Sequence, residues 1–205
     1  MPVLELDHLA VAAETLEEGR EAVEDALGVR LQPGGTHARF GTHNLLLGLE
    51  DGLYLEVIAV DPAAPRPGGA RWFDLDRFEG WVRPQVWICR TRDLAAFVAE
   101  CPEAGAMHDL ERGDLRWRMA VPEDGVLPFG NRFPAVMEWR CDAHPAARLA
   151  PSGCALRRMV IGHPEAEALS ARLGPWLEDD RVVIETGPLG LRYEIDTPLG
   201  LRVLG

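Results

Sequence analysis

A strand, a capped helix and three further strands follow one another between residues 4 and 60, and the same order starts again near residue 85. In the first pass, residues 4–13 alternate as a strand, and Thr15 followed three residues later by Glu18 forms a capping box that opens a helix over 16–27. Leu16, Ala22, Val23, Ala26 and Leu27 make the apolar stripe of that helix, Glu17, Glu18, Glu21, Glu24 and Asp25 its wet face, and Gly28 its stop. A turn at Pro33-Gly34-Gly35 precedes short strands over 38–41, 44–49 and 53–60, the last two joined by the hairpin signal Asp51-Gly52. The unit is βαβββ.

Residues 61–69 are rich in proline and glycine, and Arg71-Trp72-Phe73 follows, so 62–84 reads as a linker or lid between a first module, 1–61, and a second, 85–150. The second module repeats the order with a strand over 85–89, a helix over about 93–100 and strands near 115–121 and 135–140; its second strand is poorly marked. Residues 151–205 carry a shorter set, with strands over 155–161, 182–185, 191–196 and 201–204 and a helix over 164–173. Some fifty residues bury too little for a core of their own, so this extension is expected to pack on the two-module body and to carry no active site. The fold class is therefore α+β, with tandem βαβββ modules and a C-terminal β-α-β extension.

Composition narrows the chemistry. A chain of 205 residues, 47% of them hydrophobic, can bury a substantial core. The net charge is −12 and the arginines are scattered, which argues against nucleic acid or an anionic membrane as partner. No apolar run approaches the roughly 20 residues of a membrane span, and Met1-Pro2-Val3-Leu4-Glu5 is no signal peptide, so a cytoplasmic protein is expected. All 21 basic residues are arginine, which excludes Schiff-base and lysine-base chemistry and the lysine of a phosphate loop. Only Ser152 and Ser170 are serines, and neither sits in a nucleophile elbow. Cys89, Cys101, Cys141 and Cys154 are too widely spaced for a zinc knuckle and read as buried free thiols.

Two polar residues interrupt apolar strands, His8 in Leu6-Asp7-His8-Leu9-Ala10 and Glu56 in Tyr54-Leu55-Glu56-Val57-Ile58. Imidazole and carboxylate at the first and last strands of one module are half of a divalent-metal site; alternatively, His8 is a core histidine and Glu56 sits on a solvated face. Glu138 in Val136-Met137-Glu138-Trp139-Arg140 has the same two readings, since alternation can put it outside with Met137 and Trp139 within, or inside with an arginine such as Arg118 as partner. His43 and His144 are reserve ligands.

Asp7-His8-Leu9-Ala10-Val11, Gly41-Thr42-His43-Asn44-Leu45-Leu46, Tyr54-Leu55-Glu56-Val57-Ile58, Arg71-Trp72-Phe73, Arg116-Trp117-Arg118 and His144-Pro145-Ala146 together resemble the vicinal oxygen chelate superfamily of glyoxalases, bleomycin-resistance proteins and extradiol dioxygenases, specifically its glyoxalase-like domain proteins. The resemblance implies curved sheets enclosing a cavity, with metal ligands from the first and fourth strand of each module. Carried over, these are His8, Glu56, Gln85 and Glu138; the register leaves Val86 as the alternative to Gln85, and Val86 would break the quartet. Glu56 and Glu138 would be the catalytic carboxylates. Asn44, Trp72, Phe73 and Trp87 are expected on the cavity wall, with Arg118, Trp139 and His144. The implied function is a divalent-metal-dependent enzyme (Mg, Mn, Fe, Ni or Zn) of the isomerase, lyase or dioxygenase class, acting on a small oxygenated molecule through a stabilised enolate or oxyanion. The alternative is a metal-free, drug-sequestering binding protein. The partner is a small-molecule substrate or ligand, and a homodimer is compatible with the resemblance.

Overall fold

In the computed structural model, which describes residues 3–205, strand β1 (Glu5–Ala12) leads into helix α1 (Leu16–Leu27) and then β2 (Gln32–His37), β3 (Thr42–Gly48) and β4 (Tyr54–Val60). The Thr15 hydroxyl accepts the Glu18 N–H and the Glu18 carboxylate accepts the Thr15 N–H, while Gly28 ends the helix at φ 70°, a conformation that favours glycine. The second module comprises β5 (Arg83–Arg90), α2 (Leu94–Glu100), β6 (Ala106–Arg112), β7 (Leu115–Val121), the single turn α3 (Pro128–Asn131) and β8 (Ala135–Trp139). Then come β9 (Ala155–His163), α4 (Ala166–Leu173), β10 (Val182–Thr186), β11 (Gly190–Thr197) and β12 (Gly200–Leu204). The four cysteines are free, with Cys141 only half-buried.

Both modules share one eight-stranded sheet, ordered β2-β3-β4-β1-β5-β8-β7-β6. β1 and β5 run antiparallel at its centre, β4 and β8 lie parallel to them, and the sheet curls until its edges β2 and β6 meet. Strand β2 differs from the sequence expectation. It runs through Pro33-Gly34-Gly35, and residues 38–41 form the turn instead. An edge strand tolerates a proline with no N–H to give, and two glycines let its backbone lie close to β3. β6, also an edge, is half exposed and carries little apolar alternation, which is why its sequence signal is faint.

The two faces of the sheet bury different things. The outer face presents Leu9, Val11, Leu55, Val57, Trp87 and Cys89 to α1, α2 and the four-stranded sheet β10-β9-β11-β12, so the C-terminal extension shares this core. The inner face presents Ala10, Ala12, Ile58, Val86, Ile88 and Met137 to the segment carrying Trp72 and Phe73. Tyr193 links the layers. Its fully buried hydroxyl lies 2.7 Å from the Val86 carbonyl and 3.2 Å from that of Ala10, where the β1–β5 ladder is interrupted. Tyr193→Phe leaves these acceptors without that donor and is expected to cost about 1–3 kcal/mol in urea denaturation, with the fold retained.

Among the described residues no helix is long and apolar enough to cross a membrane.

Candidate active site

Most of the polar groups of the inner face come from the first module. His8 and Tyr54 are opposed on β1 and β4, and their rings stack at 4.3 Å. Strict alternation would send Asp7 to the other face, but a register shift against β5 between Leu6 and His8 makes Asp7 the extra residue of a bulge. Its buried carboxylate therefore meets the His8 ring, Oδ1 to Nδ1, at 2.6 Å. Oδ2 accepts from Trp139 Nε1 and from His144 Nε2, each at 3.0 Å. Burial alone would raise the Asp7 pKa, but the hydrogen bonds it accepts from His144 and His8 hold it well below the usual carboxylate range.

These bonds assign tautomers. His144 Nδ1 accepts the Ala146 N–H, so its proton sits on Nε2. His8 donates its Nδ1–H to Asp7, which turns its Nε2 toward Glu56 Oε2 at 3.7 Å. Glu56 is itself buried, and its other oxygen accepts from Asn44 Nδ2 at 2.5 Å. The pair can thus hold or pass one proton between carboxylate and imidazole.

Asn44 is oriented by β2. Its carbonyl oxygen accepts the Gly35 N–H at 2.8 Å, and a β-carbon at Gly34 would overlap its amide. The same oxygen accepts from Arg112 Nη1, which reaches across from the end of β6 and also meets His37 Nε2, both at 3.3 Å. Burial and the Arg112 charge push the His37 pKa down to about 3, so its ring is neutral and accepts that bond while Nδ1 meets the Thr42 hydroxyl. Trp72, Phe73, Trp117, Met119, Met137 and Trp139 close the cleft with apolar surface. About 30 Å³ is free inside, room for one or two water molecules, so a larger ligand has to shift the Trp72–Phe73 wall.

His8, Asn44, Glu56, Trp72, Phe73 and Trp139 are thus brought together, with His144 behind them on Asp7. Four expected residues lie elsewhere. Glu138 is on the helix-covered face, where it accepts the Leu94 N–H and pairs with Arg140 at the edge of an open groove. Gln85 is the extra residue of a second bulge, and its amide donates to the Phe73 carbonyl at 2.9 Å, tying down the wall segment. Trp87 is fully buried in the outer core and donates to the Arg132 carbonyl. Arg118 pairs with Asp109 at the surface. His37, Tyr54 and Arg112 are the polar cleft residues that sequence reasoning missed, and Asp7 the buried carboxylate behind them; the one signal was Asp7, a charge beside His8 in an otherwise apolar run.

The donor set does not fit the expected metal quartet. One cation at about 2.0–2.2 Å from each of His8 Nε2 and Glu56 Oε2 would span their 3.7 Å separation. A third protein ligand is missing, since among the described residues no three His, Cys, Asp or Glu side chains are grouped to hold an ion. Of the second module's strands β5 and β8, the inner face carries Val86, Ile88, Ala135, Met137 and Trp139, while the Gln85 amide is held on the Phe73 carbonyl, and a fixed cation, Arg112, already stands at Asn44.

The profile of the family described as glyoxalase-like domain matches residues 6–177. No curated protein sequence matches the chain. Among solved structures, a hypothetical protein from Staphylococcus aureus is 16% identical and superposes with a TM-score of 0.62 over 92% of this chain and 88% of that one, which shows the same fold across nearly the whole length. Methylmalonyl-CoA epimerase from Mycobacterium tuberculosis is 19% identical, covers 65% of this chain and 85% of its own, and has a TM-score of 0.41.

Proposed function

Because this chain belongs to the glyoxalase-like domain family of the vicinal oxygen chelate superfamily, we propose that its cleft is the active site of an enzyme that moves a proton at a carbon beside a carbonyl in a small oxygenated substrate. The observation that carries the reading is the buried Glu56 carboxylate, held by Asn44 on one oxygen and facing Nε2 of His8 with the other. Glu56 takes the proton, leaving its bonding pair on the substrate as an enolate, and returns it in an isomerisation. His8 Nε2 accepts the same proton in turn, and the imidazolium so formed is stabilised by ionised Asp7. Trp72 supplies a donor for the enolate oxygen, because its indole N–H is buried at the cleft without a partner among the described residues. Apolar walls keep bulk water from quenching the intermediate.

Chemistry of this kind belongs with the isomerases and lyases. The drug-sequestering alternative calls for a cavity of about 300 Å³ or more, which demands a far larger displacement of the Trp72–Phe73 wall than a short substrate does.

The test is solvent exchange. Incubated in deuterium oxide with small ketones and 2-oxo acids, the protein is expected to exchange their α-protons, as read by proton NMR. The exchange should persist after exhaustive chelation, because both proton carriers belong to the chain. Exchange that stops on chelation and returns with a divalent ion would replace this mechanism with the metal-dependent one.

A further inference from the structure

Arg112 differs from most arginines of this acidic chain. The chain has 33 acidic residues against 21 arginines, and most arginine side chains lie on a carboxylate. Arg112 has no carboxylate within 4 Å among the described residues, although it lines the cleft that holds Glu56. Its protein contacts are two long bonds from Nη1 to neutral acceptors, His37 Nε2 and Asn44 Oδ1. Nε and Nη2 make no hydrogen bond to the described residues, so one edge of the guanidinium fork is unused.

The placement is supported by the backbone. A β-carbon at Gly35 would stand 2.7 Å from Arg112 Cδ, so the arginine stem crosses β2 where only glycine leaves room. Asn44 then connects it to the base, accepting from Arg112 and donating to Glu56. Arg112 Nη1 is thus one side-chain amide away from the Glu56 carboxylate. A planar fork with two free N–H groups matches a carboxylate in geometry and charge. In a chain of net charge −12, a small anion would otherwise be repelled from a cleft that already contains a carboxylate.

We propose that the cleft selects a short 2-oxo acid, whose carboxylate pairs with the free edge of Arg112 while the enolisable carbon faces Glu56. This names the substrate class for the proton-transfer reading above and rests on it. Arg112 is then the specificity-determining residue, and Gly35 positions it.

The probes are 2-oxobutyrate and 2-butanone, which share an enolisable ketone and differ in the carboxylate. Wild-type protein is expected to exchange the α-protons of 2-oxobutyrate in preference to those of 2-butanone. Arg112→Gln should raise the KM for 2-oxobutyrate about 10- to 100-fold and erase the preference, and Arg112→Lys, which keeps the charge but not the fork, should fall between. If Arg112→Gln does not fold, Gly35→Ala should raise the same KM by displacing the arginine stem. Preference for 2-butanone in the wild type, or an unchanged KM in the folded Arg112 or Gly35 variant, overturns the proposal and leaves the role of Glu56 intact. Saturation-transfer NMR separates the two ideas: 2-oxobutyrate that binds the wild type and not Arg112→Gln, with no exchange in either, supports the anchor and overturns the proton-transfer reading.

Discussion

Replacing Glu56 with glutamine is expected to slow α-proton exchange by about 10²- to 10⁴-fold, the range for loss of a positioned general base, without lowering the melting temperature. Both halves follow from the same contacts. The amide oxygen of the variant can still accept from Asn44 Nδ2, and its NH₂ group takes the place of the oxygen that faces His8 Nε2. Packing is therefore conserved, while the group that accepts the substrate proton is gone. Exchange NMR and thermal denaturation of the same preparation read the two effects. A variant that exchanges at the wild-type rate removes Glu56 from the mechanism.

Asp7→Asn is expected to destabilise the fold by about 2–5 kcal/mol, the cost of breaking a buried charged hydrogen-bond network. Three donors converge on this carboxylate, from His8, Trp139 and His144, with the Arg90 guanidinium 3.6 Å away. An amide offers one accepting oxygen where two are needed, and its NH₂ group faces donors on the other side. The pH dependence has a definite sign. The folded pKa of Asp7 lies below the unfolded value of 3.8, so its stabilisation is complete above that value and is lost as pH falls below it. Urea midpoints should then separate wild type from Asp7→Asn widely at neutral pH and converge toward the acid limb; His8, His144, Tyr54 and Arg90 are the other titratable groups around the carboxylate. Equal midpoints at pH 7 would show that the network contributes nothing net.

What the sequence determined alone is whatever depends on local rules. Helix α1 is legible to the residue, because a reciprocal cap and a left-handed glycine are short-range chemistry. The tandem strand–helix–strand order and the interruption of β1 and β4 by His8 and Glu56 are legible for the same reason, since a polar group inside an apolar alternation is visible without the fold. Which face a residue occupies was decided only by the tertiary structure. A one-residue slip reverses the direction of a side chain, and bulges at Asp7 and Gln85 make such slips where no local signal marks them. Asp7 thereby joins His8, and Gln85 ties down the Phe73 segment instead of completing a ligand set. Glu138 and Trp87 keep strict alternation and lie on the helix-covered face, Glu138 at its rim and Trp87 in its core. Arg112 reaches Asn44, 68 positions away in the chain, only because the sheet curls its two edge strands together, and that closure is a property of eight strands at once.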